Sequence, residues 1–476
     1  MLLSEVLEAV EVLDHVGPLD VPITGVTHDS RAAGQGSLFC CIPGATADGH
    51  DYAQNAVANG AVALLCERNL ATQPAVPVAV VENVRRAMAP VSAAFWGWPA
   101  RSMRTAGVTG TAGKTTTVAF LAAIFEAHGW PCASIGTLSG ERTTPESSEL
   151  QAALAQHVEN GSRALAMEVS SHALVQHRVD ALQFDVAVFT NLGRDHLDFH
   201  VDQASYFEAK AQLFTPDRAQ AAVICVEDAW GEELAARVEK QGAVPVTRVS
   251  LADAADLRFE GSRGSRYGWN GVSIDLRVPG RHNVINALLA ANAASALGVD
   301  PQAIARGIAA VGSVPGRFER VERSQPFATV VDFAHTPDSL VAALDAARLL
   351  AAADGGRVIL VVGCGGDRDR GKRPVIAAVA EELADVAFFT SDNPRSENPL
   401  DILAEMVGGL RDKASVHIEE DRAQAISLAI DGAQPGDVVL IAGKGHETTQ
   451  TFADRTEHFD DREVATAALH ARGYGA

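Results

Sequence analysis

The stretch GVTGTAGKTTT at 107–117 constrains the fold of this chain more than any other. It follows a short strand-like segment, RTAGV at 104–108. It precedes 115–128, where Val118, Leu121, Phe125 and His128 recur at helical spacing with Ile124 adjoining the stripe. Gly129 and Pro131 stop that helix. A glycine-rich turn between strand and helix frees backbone N–H groups to surround phosphate oxygens. The helix N-terminus adds its dipole, and Lys114 adds a full positive charge. Thr115 is placed to ligate Mg²⁺. The strict Walker pattern asks for glycine six residues before the lysine, where Val108 stands, so the match is to a variant, TGTxGKTT. ATP or GTP is expected here, but the loop alone does not specify a reaction.

Further apolar strands follow at 164–169, 185–190 and 221–226, with helical patterns between most of them. That alternation predicts a parallel sheet with helices on its faces. It resumes at 328–333, 357–363, 386–390 and 437–443, which predicts a second doubly wound sheet. The intervening helix, 338–352, carries Leu340, Ala343, Leu344 and Ala347 on one face. The first hundred residues offer VAVVE at 78–82 and an Ala-rich helix near 50–60, read as a small α/β domain. WGWPA at 96–100 and SVPGRFE at 313–319 interrupt the periodicity. The expected plan is therefore α/β in three domains: 1–97, a central P-loop parallel-sheet domain at 98–314, and a Rossmann-like domain at 315–476. A length of 476 residues suits that count.

Composition narrows the partners. Lys and Arg number 39 against 60 Asp and Glu, a formal charge of −21, which is the wrong sign for general nucleic-acid binding. No apolar run approaches a membrane span, and MLLSEVLEAVEVLD carries acids where a signal peptide carries Lys or Arg. A cytoplasmic protein without a membrane partner is expected. The six cysteines (40, 41, 66, 132, 225 and 364) are scattered and mostly in apolar surroundings, so buried free thiols are expected rather than disulfides.

Chemistry-bearing residues cluster at strand ends, where open α/β sheets place ligands. Glu168 ends ALAMEV, Asn191 follows DVAVFT, and Lys210 lies in YFEAK on an expected helix. Carboxylate and imidazole there can hold a divalent metal against a triphosphate. His196 and His200 stand i, i+4, but Leu197 breaks the HExxH pattern and the segment follows a strand directly, so a helical zinc face is not expected.

Ten motifs occur in order: TGTAGKTTT (109–117), TTPES (143–147), EVSSHALVQHRV (168–179), TNLGRDHLDFH (190–200), YFEAK (206–210), PGR (315–317), VDFAHTPDSL (331–340), GCGGDRDRGKRP (363–374), DNPR (392–395) and GKGHE (443–447). Through them the chain resembles the Mur ligase family. The resemblance implies three domains that bind UDP-sugar, ATP and amino acid in turn. It implies an ATP-dependent amide-bond ligase in the cytoplasmic stage of peptidoglycan synthesis, working through an acyl phosphate. It also implies roles for individual residues. Gly110, Thr111, Gly113, Lys114, Thr115, Thr116, Asn286, Arg317 and Asp332 would hold ATP, with Lys114, Glu168, His196 and Lys210 catalytic. Thr115, Glu168, His196 and a carbamylated Lys210 would serve Mg²⁺. A carbamate suits that place, because an ammonium beside a dication is repelled and CO₂ addition makes it an anion. Ser30, Thr143, Thr144, Ser170, Gln176 and Arg178 would contact UDP-N-acetylmuramoyl-L-alanyl-D-glutamate.

DNPR goes, within the family, with meso-2,6-diaminopimelate as the added amino acid; the matching residues are Arg368, Asp392, Asn393, Pro394, Arg395, Gly443 and Glu447. The segment 365–373 is basic within an acidic chain, with Arg368, Arg370, Lys372 and Arg373. Arg395 can pair bidentately with a carboxylate that lysine would not offer, and Glu447 can accept from the distal ammonium. Three departures stand out: Ala112 where Asn is usual, Phe333 where Tyr is frequent, and no distinctive match around 45–47. Competing readings are a P-loop switch, a folylpolyglutamate synthetase, and the L-lysine-adding form of the same ligase. A monomer is expected, as family members usually are.

Overall fold

The computed structural model describes residues 1–44, 47–70, 75–196, 199–414 and 416–475. Three main sheets follow one another along the chain. The first has five strands, in the order Asp14–Val16, Val78–Val80, Ala61–Cys66, Ser37–Cys40 and Gly25–Thr27. Only the Asp14–Val16 edge runs antiparallel. The helix expected near 50–60 is a 3₁₀ turn, Gly49–Tyr52, running into the helix Ala53–Asn59. Ala45 and Thr46, where the uracil side lacked a match, lie outside the described residues.

The central sheet is wholly parallel: Val246–Val249, Ala222–Cys225, Val186–Phe189, Arg104–Thr109, Ala164–Glu168 and Cys132–Ile135. Both faces are covered, which is why its strands read as continuous apolar runs rather than alternating ones. On one face pack the helices Lys114–His128, Arg281–Ala296 and Pro301–Ala310. On the other pack Ser147–Glu159, Gln203–Ala211 and Ala229–Gln241. Arg104–Thr109 sits inside the sheet, flanked by the strands that end in Glu168 and precede Asn191. The loop after it therefore opens into a crevice lined from both sides.

An antiparallel meander, Ala255–Phe259, Ser265–Trp269 and Val272–Leu276, adds Tyr267, Trp269, Ile274 and Leu276 to the central core. The third main sheet orders Glu319–Arg320, Ala328–Asp332, Val438–Ala442, Val358–Cys364, Val386–Ser391 and Val416–Ile418, parallel except at its 319–320 edge. Pro337–Asp354 is the helix expected at 338–352. All six cysteines are free thiols, five of them buried. Burial pushes the Cys225 thiol up to about 11 and Cys364 up to about 12. No described helix is long and apolar enough to cross a membrane.

Candidate active site

The Gly110–Gly113 turn requires its glycines. Gly110 has φ of 146° and Gly113 of 86°; a Cβ on Gly110 would lie 1.9 Å from Thr190 Oγ1, and one on Gly113 2.4 Å from Asn286 Oδ1. The loop is held from behind. Asn191 accepts from the Ala112 N–H at 3.0 Å and donates to its carbonyl at 3.2 Å, and its own carbonyl accepts from the Thr111 N–H at 3.0 Å. Thr190 Oγ1 also donates to the Ala112 carbonyl, at 2.6 Å. Backbone contacts thus fix the turn at the position where the alanine replaces the usual asparagine. Thr115 and Thr116 are buried at the start of the helix.

Two lysines converge beneath this loop. Lys114 Nζ donates to the carbonyls of Gly110 and Thr111, both at 2.9 Å, and Lys210 Nζ donates to Gly110 at 2.7 Å. Lys210 is 1% exposed on the helix Gln203–Ala211. Burial, and then the Lys114 charge, hold its ammonium well below the usual lysine range. Glu168, at the C-terminal end of its strand, is buried and accepts from the Thr137 N–H at 2.9 Å and from its hydroxyl at 3.2 Å. Among the described residues it has no ion-pair partner. His196 is half-buried at φ of 55°. Burial and the two lysines push its imidazole down to about 4, against the pull of Asp195. His200 Nε2 lies 3.0 Å from Ser171 Oγ.

The C-terminal sheet reaches across the crevice. Arg317 Nη2 donates to Thr115 Oγ1 at 3.1 Å, and its guanidinium stacks over the Phe333 ring at 4.4 Å. Phe333, the departure from tyrosine, thus supplies the face on which Arg317 lies. Asp332 accepts from the Phe318 and Ala334 N–H groups, at 2.6 and 2.7 Å. Burial raises its carboxyl above the usual range, against the pull of Arg317. Asn286 Nδ2 donates to Asn283 Oδ1 at 3.2 Å, and its Oδ1 faces Gly113.

On the other side, Thr143 Oγ1 is 3.1 Å from Thr137 Oγ1. Thr144 Oγ1 donates to the Glu168 carbonyl at 2.9 Å and accepts from the Ser170 N–H at 3.1 Å. Ser170 Oγ caps its own helix by accepting from the Ala173 N–H. Arg178 pairs with Glu146 at 2.8 Å and donates to Gln176 Oε1 at 2.6 Å. Ser30 stands on the first sheet's side, its carbonyl accepting from Asn59 at 2.9 Å.

The basic run divides cleanly. Arg373 is fully buried against Glu397 and Glu405, and Arg370 also pairs with Glu405. Arg368 and Arg395 have no carboxylate within 4 Å among the described residues. Arg395 instead donates to the Gly366 carbonyl at 2.8 Å. Burial, and then the Arg368 charge, pull its guanidinium below the usual range. Asp392 and Asn393 are buried; Pro394 turns the chain, its carbonyl against Gly366, and Asn393 Nδ2 donates to Glu447 Oε2 at 2.8 Å. Gly443, at φ of 118°, leaves room for Asp392: a Cβ there would meet its Oδ2 at 2.6 Å.

Three family models match this chain: the Mur ligase family catalytic domain over 22–96, the Mur ligase middle domain over 108–294, and the Mur ligase glutamate ligase domain over 316–445. The chain belongs to the Mur ligase family. This Mur ligase is 44% identical over 475 residues to the UDP-N-acetylmuramoyl-L-alanyl-D-glutamate--2,6-diaminopimelate ligase of Streptomyces coelicolor, covering 94% of this chain and 92% of that one. It is 44% identical to the ligase of the same name from Geobacillus kaustophilus, over 95% of this chain and 96% of that one. A solved structure of a ligase of that name superposes with a TM-score of 0.68 at 31% identity, covering 98% of this chain and 99% of the other. MurF from Thermotoga maritima in complex with ADP shares the fold, with a TM-score of 0.70 at 20% identity over 95% of this chain and all of that one. As a family member, the protein is an ATP-dependent ligase.

Sequence reasoning passed over several groups that this Mur ligase brings to the crevice. Asp195 Oδ2 lies 3.5 Å from both His196 Nε2 and His335 Nε2, so one carboxylate joins the central and C-terminal parts. Burial works against its charge, but His335, His196 and Lys372 outweigh it and hold the carboxyl far below its usual range. Arg194 reaches Asp369 at 3.1 Å, and its N–H donates to Asp338 at 3.2 Å. The signal was present in DH of TNLGRDHLDFH and HTPD of VDFAHTPDSL, where Asn191, His196, His200, Asp332 and Phe333 drew notice but Arg194, Asp195, His335 and Asp338 did not. A cavity of about 680 Å³ lined by Arg263, Arg266, Arg277 and Phe318 contains none of the expected site residues.

The crevice fits a hard divalent cation. Glu168 is a buried carboxylate with no direct ion pair among the described residues, and Thr115 adds a hydroxyl. Among the described residues no three His, Cys, Asp or Glu side chains gather closely enough to hold an ion unaided. The donors that do stand there are oxygens, and Mg²⁺ takes one or two protein oxygens and completes its shell from phosphates and water.

Proposed function

We propose that this Mur ligase joins meso-2,6-diaminopimelate to UDP-N-acetylmuramoyl-L-alanyl-D-glutamate, with ATP becoming ADP and phosphate. The observation that carries the amino-acid choice is the division of the basic run. Arg370 and Arg373 are consumed by Glu397 and Glu405, whereas Arg368 and Arg395 form no ion pair among the described residues, and Arg395 feels the charges of Arg368, Asp392 and Glu447. Two cations and one carboxylate suit an amino acid with a second carboxylate and a distal ammonium. An L-lysine side chain would leave the half-buried Arg395 without a carboxylate to pair with, a cost that selects against lysine.

The reaction starts from a carboxylate, a poor electrophile. The loop N–H groups and Lys114 bind the triphosphate and bring its γ-phosphorus to the carboxylate oxygen of the muramoyl dipeptide. The P–O bond to ADP breaks as the acyl phosphate forms. The free amine of the amino acid then attacks the carbonyl carbon, the C–O bond to phosphate breaks, and the amine loses a proton. Arg317, arriving from the C-terminal sheet, faces the charge that spreads over the transferring phosphoryl oxygens. Thr115, Glu168 and His196 would hold Mg²⁺, which neutralises phosphate charge when bound. Burial of Lys210 favours its neutral amine, which adds CO₂ and releases a proton to become a carbamate anion. Thr143, Thr144, Ser170, Gln176, Arg178 and Ser30 take the nucleotide-sugar, and Asn286 and Asp332 the nucleotide side of ATP. The enzyme works as a cytoplasmic monomer in peptidoglycan precursor synthesis.

Purified protein would be incubated with the muramoyl dipeptide, ATP and Mg²⁺, with diaminopimelate and L-lysine in separate tubes. A tripeptide mass with phosphate release only in the diaminopimelate tube is expected. Product only with lysine would overturn the amino-acid choice, and phosphate release without product in either tube would overturn the ligase reading.

A further inference from the structure

Lys444 is fully buried, yet nothing in the phosphoryl chemistry uses it. It follows the strand Val438–Ala442, between Gly443 at φ of 118° and Gly445 at φ of 54°. Its ammonium donates to the Thr449 carbonyl at 2.6 Å and to Asn393 Oδ1 at 3.2 Å, and approaches Glu447 Oε2 at 3.4 Å. Three protons meet three acceptors, so the charge is satisfied without solvent. The Thr451 N–H also donates to Asn393 Oδ1, at 3.0 Å. Two donors on that oxygen settle which way the Asn393 amide faces. Its NH₂ must then point the other way, and it does, to Glu447 Oε2 at 2.8 Å.

The consequence falls on Glu447. Its Oε2 receives both the Asn393 amide and the Lys444 ammonium, while Oε1 receives no hydrogen bond from the described residues. One carboxylate oxygen is anchored and the other is left to face an incoming ammonium. We propose that Lys444 is a positioning residue for the added amino acid, acting through Asn393 and Glu447 to aim one oxygen of Glu447 at the substrate's distal ammonium. This rests on the diaminopimelate reading above.

The test is steady-state kinetics on the full-length enzyme with Lys444→Met, which keeps the stem and removes the charge. Lys444→Gln, which can still donate to one carbonyl, is the second variant should the first not fold; thermal melting checks both. The KM for diaminopimelate is expected to rise about 30-fold, the loss of one charged hydrogen bond. kcat, and the KM values for ATP and the muramoyl dipeptide, stay within about 3-fold. Combined with Glu447→Gln, the Lys444 replacement adds nothing further, because its effect runs through that carboxylate. A folded variant whose KM for diaminopimelate is unchanged would overturn the proposal, as would an equal rise for all three substrates or an effect fully additive with Glu447→Gln. A wild-type enzyme that does not use diaminopimelate would sink the functional reading itself. A wild type that uses it, with variants that behave alike, would sink only the role of Lys444.

Discussion

Lys114 and Lys210 both donate to the carbonyl oxygen of Gly110, at 2.9 and 2.7 Å. Two ammonium groups on one acceptor, in a buried pocket, oppose each other's charge, and both sit below the usual lysine range, burial being the first cause. Glu168 and Asp195 both support the Lys114 charge, whereas only Asp195 supports that of Lys210, so Lys210 gives way first.

Lys210 should therefore carry CO₂ at neutral pH. Labelled bicarbonate is expected to give one carbamate carbon resonance in wild type and none in Lys210→Ala. That variant should lose at least about 10²-fold in kcat, the scale of one preorganised electrostatic group, and regain part of it with acetate or formate. Full activity in rigorously CO₂-free buffer would refute the idea.

Arg317 reaches Thr115 from the turn before the C-terminal sheet and lies on Phe333. Arg317→Ala should lower kcat by about 10²–10³-fold with little change in KM for the amino acid. Arg317→Lys should recover little, since a point charge lacks the planar fork that stacks on the ring. Phosphate release under saturating substrates reads both.

Acid should destabilise the fold before the carboxylates titrate. Burial pushes His282 down to about 4, from an ordinary value of 6.5, and His196 and His446 lie as low. Between those two values the unfolded chain binds more protons than the folded one, so stability falls as pH drops from about 6.5 to 4 and gains nothing from these groups by further change above it. Urea midpoints measured across that window should fall more shallowly in His282→Gln, whose side chain is outside the proposed chemistry. An identical slope would remove His282 from the account.

Arg422 and Asp461 form an ion pair with both side chains fully buried, 2.7 Å apart. Arg422 also donates to the carbonyls of Ala442 and Ser391, at 3.0 and 3.4 Å, tying together the two strand ends that lead into GKGHE and DNPR. Asp461→Leu should cost about 3–5 kcal/mol, because it strands a buried guanidinium. Adding Arg422→Met should recover much of that loss. Thermal melting of both variants decides it; a double variant less stable than the single one would contradict the argument.

Parallel sheets were legible because strands buried on both faces leave continuous apolar runs, and the observed strand ends fall within a residue or two of those expected. The meander at 255–276 was not read, although Asn270-Gly271 between Trp269 and Val272 is a strong hairpin signal and both residues take positive φ. Its strands, carrying Arg258, Arg266 and Asp275 outward, lack the apolar runs that marked the others. The phosphate loop was readable because glycine, lysine and threonine spacing is a backbone requirement. Contacts such as Asp195–His335 and Arg317–Thr115 were not, because they join residues 140 and more positions apart. Nor does a run of arginines say which of them face carboxylates of their own chain; that separation of Arg373 from Arg395 needed Glu397 and Glu405 in place.

The ladder pairing Val108 with Glu168 and Thr109 with Phe189 sets where the acidic group stands relative to the phosphate turn. Such spacing belongs to the peptide backbone, not to the side chains threaded on it. Conservative exchanges of valine for isoleucine along these strands can drift through a lineage while leaving turnover untouched. A single inserted residue between Arg104 and Thr109 would instead move the turn by one pleat and carry it out of step with Glu168.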